Sequence, residues 1–210
     1  HLLGTAQGQY DIFYGVIWGT RTAFQTGFIV VIATVLIGII MGSIAAYYGG
    51  GVDNIIMRIT DIFMTLPYIM MALIFSAVLT PILGRSLLPP MIAMISFGWM
   101  GYARIIRSDI LSIKERDYVL AAKASGLKNG RILFKHILPN AIYPTLVLAT
   151  LGFGDVVLSF AALSFLGIGT EVGYADWGQI LSFARNWITS LDNYWYIVVF
   201  PGLTLTMFVM

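Results

Sequence analysis

The sequence predicts an all-α, polytopic bundle of membrane-spanning helices, and three observations carry that reading. Hydrophobic residues make up 59% of the chain and charged residues 10%, with a mean hydropathy of +0.87, whereas a soluble domain carries charge on about a quarter of its residues. The apolar residues gather into uncharged runs of the length that crosses about 30 Å of hydrocarbon, about 20 residues of helix. The charges lie between those runs, and basic residues dominate one loop. A soluble domain of 210 residues would leave large apolar patches in water, so lipid is the expected solvent.

Five spans follow in order. Residues 22 to 48 contain no charge and stop at Gly49-Gly50-Gly51, expected to be a flexible break. Residues 62 to 83 form a second span in which Pro67 should kink the helix, because proline removes a backbone donor and crowds the preceding turn. Residues 88 to 106 run into Arg104 and Arg107, which mark an interface. Residues 141 to 168 make a fourth span, interrupted by Asp155, and a fifth begins near Tyr194 and runs to Met210. His1 is not a start methionine and no signal-peptide pattern follows it, so the expectation is a chain truncated at both ends.

Lysine and arginine in short loops mark the cytoplasmic side. Arg104, Arg107, Lys114, Arg116, Lys123, Lys128, Arg131 and Lys135 face only Asp109, Glu115 and Asp117, so that loop is read as cytoplasmic. Between residues 169 and 193 the balance reverses, with Glu171, Asp176 and Asp192 against Arg185, and that loop is read as external. Residues 1 to 21 then form an external segment before the first span. Tyr174, Trp177, Phe183 and Trp187 read as an interfacial aromatic belt, with contact to a secreted protein as the alternative. Gly15 with Gly19, and Gly38 with Gly42, Ala45 and Ala46, permit close helix approach, read as bundle packing with a dedicated dimer face as the alternative.

Within the basic loop, residues 117 to 125 have the alanines and straight-chain residues of a helix, and Gly126 stands where a left-handed residue would end it. A second short helix is expected from Asn129, as N-cap, to Pro139. Small side chains beside basic ones suggest a docking face, although any cytoplasmic loop is basic and alanine simply favours helix.

Those residues carry a resemblance. Ala121-Ala122, three residues, Gly126, nine residues, then His136-Ile137-Leu138-Pro139 resemble the coupling motif of binding-protein-dependent ABC importer permeases: E-A-A, three residues, G, nine residues, I, one residue, L-P. Leu120 stands at the glutamate position and His136 at the isoleucine position, departures that look like the dipeptide, oligopeptide and nickel branch, as do "DYV" and "HILPN". "HLLGT", "DIFYGVIWGTR", "AAYYGGGVDNIIMRITDIFMTLP", "LSFLGIG" and "WGQIL" extend the resemblance along nearly the whole chain. Gly173-Tyr174-Ala175-Asp176 stands where relatives often carry prolines, so a reshaped external face is expected.

The resemblance implies a transmembrane domain of the type I importer kind over residues 22 to 210, with a cytoplasmic coupling loop at 107 to 139 and an external loop at 169 to 193. It implies a multi-pass subunit of the cytoplasmic (inner) membrane that imports short peptides, nickel and oligosaccharides being open alternatives. It also implies four partners besides lipid: a second homologous permease, two ATP-binding subunits and an extracytoplasmic substrate-binding protein. Nucleic acid is not among them. Ala121, Ala122, Gly126, Arg131, His136, Leu138 and Pro139 are then the ATPase-coupling positions. No cofactor is implied in this chain; ATP and magnesium belong to the partners, and no G-x-x-x-x-G-K-[ST] phosphate loop occurs here.

Rival readings rest on few residues. Gly152-Phe153-Gly154-Asp155 spells the pattern of an intramembrane aspartyl protease, which needs a second aspartate sharing a proton; Asp61 is the other candidate and is poorly matched in depth. Asp155 otherwise lines a translocation path or is a buried, hydrogen-bonded polar residue. Asp155 and Pro67 could also serve an ion-gradient-driven carrier or channel, which has no evident use for the basic loop. Arg58 and Asp61 are expected to pair within one helical turn. His136 lacks a second ligand at metal-site spacing and reads as a loop residue.

Overall fold

The computed structural model describes residues 1–185 and 195–210, and among them regular structure is helical, apart from an isolated bridge between Thr5 and Asp11. The helices are α1 (Ile12–Tyr48), α2 (Gly50–Met64), α3 (Tyr68–Leu83), α4 (Leu88–Lys114), α5 (Asp117–Ala124), α6 (Asn129–Ile132), α7 (Leu138–Phe165), α8 (Trp177–Ala184) and α9 (Tyr196–Val209). A π-helical turn, Leu133–Ile137, joins α6 to α7. Two continuous runs, Ile12–Tyr48 and Asn129–Phe165, are long and apolar enough to cross a membrane. Along α1, Phe24, Phe28, Ile32, Leu36 and Ile40 recur every fourth residue and stay about half exposed, an outward stripe suited to lipid or a neighbouring subunit.

Several boundaries differ from the sequence expectation. α1 begins ten residues early, so part of the segment 1–21 is helix, and its 37 residues make about 55 Å at 1.5 Å per residue. The triglycine is not a flexible stop: only Gly49 falls between helices, at φ +63°, and α2 starts at once. Pro67 breaks the expected second span instead of kinking it. The proline has no donor and biases Leu66 away from helical geometry, so α2 ends at Met64 and α3 restarts at Tyr68, with Thr65 Oγ1 donating to the Ile62 carbonyl at 2.6 Å. Tyr194 lies outside the described residues.

The chain forms two compact units: His1–Val31 with Ile69–Met94 and Gly152–Met210, and Ile32–Tyr68 with Ile95–Leu151. In the first, one core joins Ala23, Val157, Ala161, Trp177 and Leu205 with Phe153 and Phe208, and another joins Ala6, Ile12, Ala184 and Ile197. α8 lies directly on α1: a Cβ at Gly15 would come within 2.6 Å of Ile180, and one at Gly19 within 2.5 Å of the Trp177 indole. Trp177 is buried, its Nε1 donating to the Val16 carbonyl at 2.9 Å. It is therefore a core residue and not part of an interfacial belt. Phe183 stacks on Tyr10, Tyr174 is exposed, and Trp187 and Asp192 lie outside the described residues.

In the second unit α1 meets α4 through Gly38 and Gly42. A Cβ at Gly42 would lie 2.2 Å from Ile106 Cγ2 and 2.4 Å from the Ala103 carbonyl oxygen, and Ala45 and Ala46 continue the buried seam. All four glycines thus serve packing within the chain, as the first of the two readings expected. α2 is bound to α4 by charge. Arg107 grips both oxygens of Asp53, and Arg104 reaches Asp61. The expected Arg58–Asp61 pair is absent, because Asp61 is nearer a cation on the packed helix than one on its own exposed turn.

Candidate functional site

The basic hairpin between α4 and α7 lies wholly in the second unit. Only Glu115 and Arg116 separate α4 from α5, so the short helix is a direct continuation of a long one. Alanines at 121, 122 and 124 favour helix. Asp117 in the first turn and Lys123 in the last complement the helix dipole. Gly126 ends α5 as expected, at φ +75°. Its N–H donates to the Lys123 carbonyl at 3.0 Å and the Leu127 N–H to the Ala122 carbonyl at 3.3 Å, the paired bonds of a Schellman end.

The second helix departs from expectation. Lys128, not Asn129, is its N-cap, and it does not stop at Pro139 but runs through the π turn into α7. The Leu138 N–H reaches back five residues to the Leu133 carbonyl, and Asn140 Nδ2 donates to the His136 carbonyl at 2.7 Å. A widened turn and a side-chain donor together accommodate the donor that Pro139 lacks.

Packing divides the expected coupling residues between two sides. Val119 and Ala122 of α5 are buried with Ala46 of α1, Ile106 and Ile110 of α4, and Ile132, Leu133, Ile137 and Ala141. Ala122, expected on the docking face, instead turns inward; a helix lying on a core must bury one stripe, and Val119 and Ala122 are three apart on it. Leu138 and His136 are half-buried. Ala121, Gly126, Arg131 and Pro139 are exposed, as are Tyr118, Leu120, Ala124 and Phe134. A Cβ added at Gly126 would meet nothing within 4 Å. The outward side therefore combines a small-residue strip with large apolar side chains that water alone would not favour. Lys123, Lys128, Arg131 and Lys135 form no ion pair among the described residues.

Two sites escaped the sequence reading. Asp53 carried no motif, and its pairing with Arg107 depends on α2 folding along α4. Asp176 is nearly fully buried at the start of α8 and accepts from the Gly178 N–H at 3.0 Å. Burial pushes its carboxyl up to about 6; the Ser164 side chain and the Gly178 N–H pull the other way, although Asp176 Oδ2 completes no hydrogen bond. Gln179, also buried, donates to the Thr170 and Glu171 carbonyls and accepts from the Gly173 N–H, which makes the loop before α8 a fixed platform. The Asp-x-x-Gln spacing at 176 and 179 resembles a helix-start signal and was the available clue. Asp155 is exposed on α7 and has no hydrogen bond or ion pair among the described residues. The alternative of a carboxylate buried and bonded within this chain is therefore set aside.

A helical fold with two continuous runs long and apolar enough to cross a membrane, and a basic hairpin between α4 and α7, defines a multi-pass membrane protein. Residues 35–210 match the family described as binding-protein-dependent transport system inner membrane component. The chain is 40% identical to a dipeptide transport system permease protein of Alkalihalophilus pseudofirmus over 210 residues, covering 100% of this chain and 67% of that protein. It is 37% identical to an oligopeptide transport system permease protein of Bacillus subtilis, with 99% and 67% covered. It is 35% identical to a nickel transport system permease protein of Escherichia coli, with 100% and 73% covered. Among solved structures, the inward-facing MetNI methionine ABC transporter superposes with a TM-score of 0.70 at 20% identity, over 94% of this chain and 91% of that one, which shows the fold. The chain belongs to the family of inner-membrane components of binding-protein-dependent transport systems, and it spans about two thirds of the length of the curated relatives it matches.

Proposed function

We propose that this chain is the non-catalytic permease subunit of an ATP-driven importer of short peptides. Two ATP-binding subunits, a second homologous permease and an extracytoplasmic binding protein complete the assembly. The observation that carries the reading is the two-sidedness of α5. Its inner stripe is locked to α4, α6 and α7 through Val119 and Ala122, while Leu120, Ala121, Ala124 and Gly126 face outward. A partner gripping the outer side must move α4 and α7 with it, because a packed core is bistable and not continuously deformable. In this account the partners bind ATP and magnesium, and this chain supplies Ala121, Gly126, Arg131 and Pro139 as contact residues. Ala122, Leu138 and the half-buried His136 hold the hairpin in shape.

Peptide cargo is proposed over nickel on the 40% identity to one dipeptide permease and 37% to one oligopeptide permease, against 35% to the nickel permease. Asp155 is assigned to the translocation path, where an exposed carboxylate on an apolar helix would meet water and substrate. The protease reading gains no support, since Asp61, its candidate second aspartate, is engaged by Arg104. The test is reconstitution of the assembled transporter with the Ala121→Trp variant. The bulky side chain lands on an exposed position, so folding and assembly persist, while uptake of a labelled dipeptide is lost and ATP hydrolysis no longer responds to the binding protein. Unimpaired uptake by this variant would refute the coupling role. Uptake of labelled nickel but not dipeptide by the wild type would refute the cargo.

A further inference from the structure

Beside the hairpin is a cleft of about 240 Å³ that the transport reading does not use. Its polar lining consists of Tyr47 and Tyr48 at the end of α1, Lys114 at the end of α4, Lys123 on α5 and Asn129 on α6, and no acidic residue lines it. Lys114 gives one long hydrogen bond, 3.4 Å, to the Ala46 carbonyl, which leaves two of its three donors. Neither lysine forms an ion pair among the described residues. Two lysines without an ion pair, two tyrosines and an asparagine therefore line one recess. α1 ends there with an aromatic pair whose rings meet edge to face at 5.0 Å, a residue type enriched at membrane–water interfaces.

We propose that this cleft binds a phosphate monoanion or dianion, presented by the headgroup of an anionic phospholipid. The lysines supply charge and the tyrosine hydroxyls and Asn129 amide supply further donors, a set matched to phosphate oxygens and unsuited to a neutral or cationic group. A recess of this size admits a headgroup while the acyl chains remain in the bilayer. Because Lys123 belongs to α5 and Lys114 to α4, a bound headgroup bridges the hairpin to the long helix that carries it, so the lipid stiffens the lever that the partner moves.

The test uses the full-length chain in its assembled transporter, in nanodiscs of phosphatidylcholine with and without phosphatidylglycerol, with retained lipid counted by native mass spectrometry. The wild type should retain phosphatidylglycerol, and Lys114→Gln with Lys123→Gln should lower its affinity, read from occupancy against phosphatidylglycerol content, about thirtyfold, the worth of two lysines near an anionic surface. Lys114→Arg with Lys123→Arg should keep it. If the double variant fails to assemble, Lys123→Gln alone, at an exposed position, should lower that affinity about fivefold. Inorganic phosphate that binds the wild type without anionic lipid, and not the double variant, would support the site and identify a free anion as its source. Equal phosphatidylglycerol retention by wild type and glutamine variants, with no phosphate bound, would overturn the proposal.

Discussion

Replacing Asp176 by asparagine separates the two tasks of that residue, capping α8 and carrying a buried charge. Asparagine accepts from the Gly178 N–H as aspartate does, so the cap survives. The charge does not. An ordinary aspartate titrates at 3.8 and this one at about 6, a difference worth about 3 kcal/mol. The sign follows from proton binding: between those two values the folded state holds the proton and the unfolded state has released it. Stability is therefore greatest below pH 4, falls as pH rises towards 6, and is level above that. Thermal unfolding of the purified protein in detergent, followed by tryptophan fluorescence from pH 4 to 8, should show this decline for the wild type and a much flatter profile for Asp176→Asn. Above pH 6 the variant should be the more stable of the two, by up to about 3 kcal/mol. A wild-type melting temperature that rises from pH 4 to 6, or an asparagine variant less stable at pH 8, would refute the argument that the carboxylate is buried without full compensation.

Three further perturbations test packing and charge. Gly42→Leu should cost more than about 3 kcal/mol because its Cβ would collide with Ile106 and the Ala103 backbone, whereas Gly101→Leu meets nothing within 4 Å; equal melting temperatures for the two would count against the α1–α4 contact. Asp53→Asn leaves Arg107 half-buried without its counter-charge and should destabilise by about 2 kcal/mol, less than for a fully buried pair, and denaturant unfolding of unchanged midpoint would contradict it. Gly126→Ala should cost about 1 kcal/mol through its positive φ alone, with proteolysis at residues 125–128 as the local readout. A larger loss would reveal a neighbour that the open surroundings do not show.

Composition made the membrane legible, and the spacing of Ala121, Ala122, Gly126 and Pro139 made the hairpin legible, because both signals are local in sequence. Gly126 is the clearest case: a left-handed helix end has one favoured residue, and it stands where the helical pattern stops. The Pro67 region was half legible. A proline interrupts a helix, but whether it bends or breaks one depends on whether neighbouring helices hold the two halves in line. Trp177 misled for a different reason. An indole near a membrane boundary suits an interface, yet here Gly19 opens a recess and the Val16 carbonyl, 161 positions away in sequence, accepts the indole N–H, and neither fact is visible from the residues around Trp177.

The sequence by itself determined that this protein lives in lipid as a set of long apolar helices and that a basic helix-turn-helix interrupts them, since apolar length, charge placement and turn chemistry are properties of short segments. Tertiary structure decided which side of that hairpin is locked and which is offered, which cation answers Asp53 and Asp61, and that Asp176 is out of water. Each of these depends on side chains brought together from distant helices, where desolvation and close contact set energies that no single segment contains.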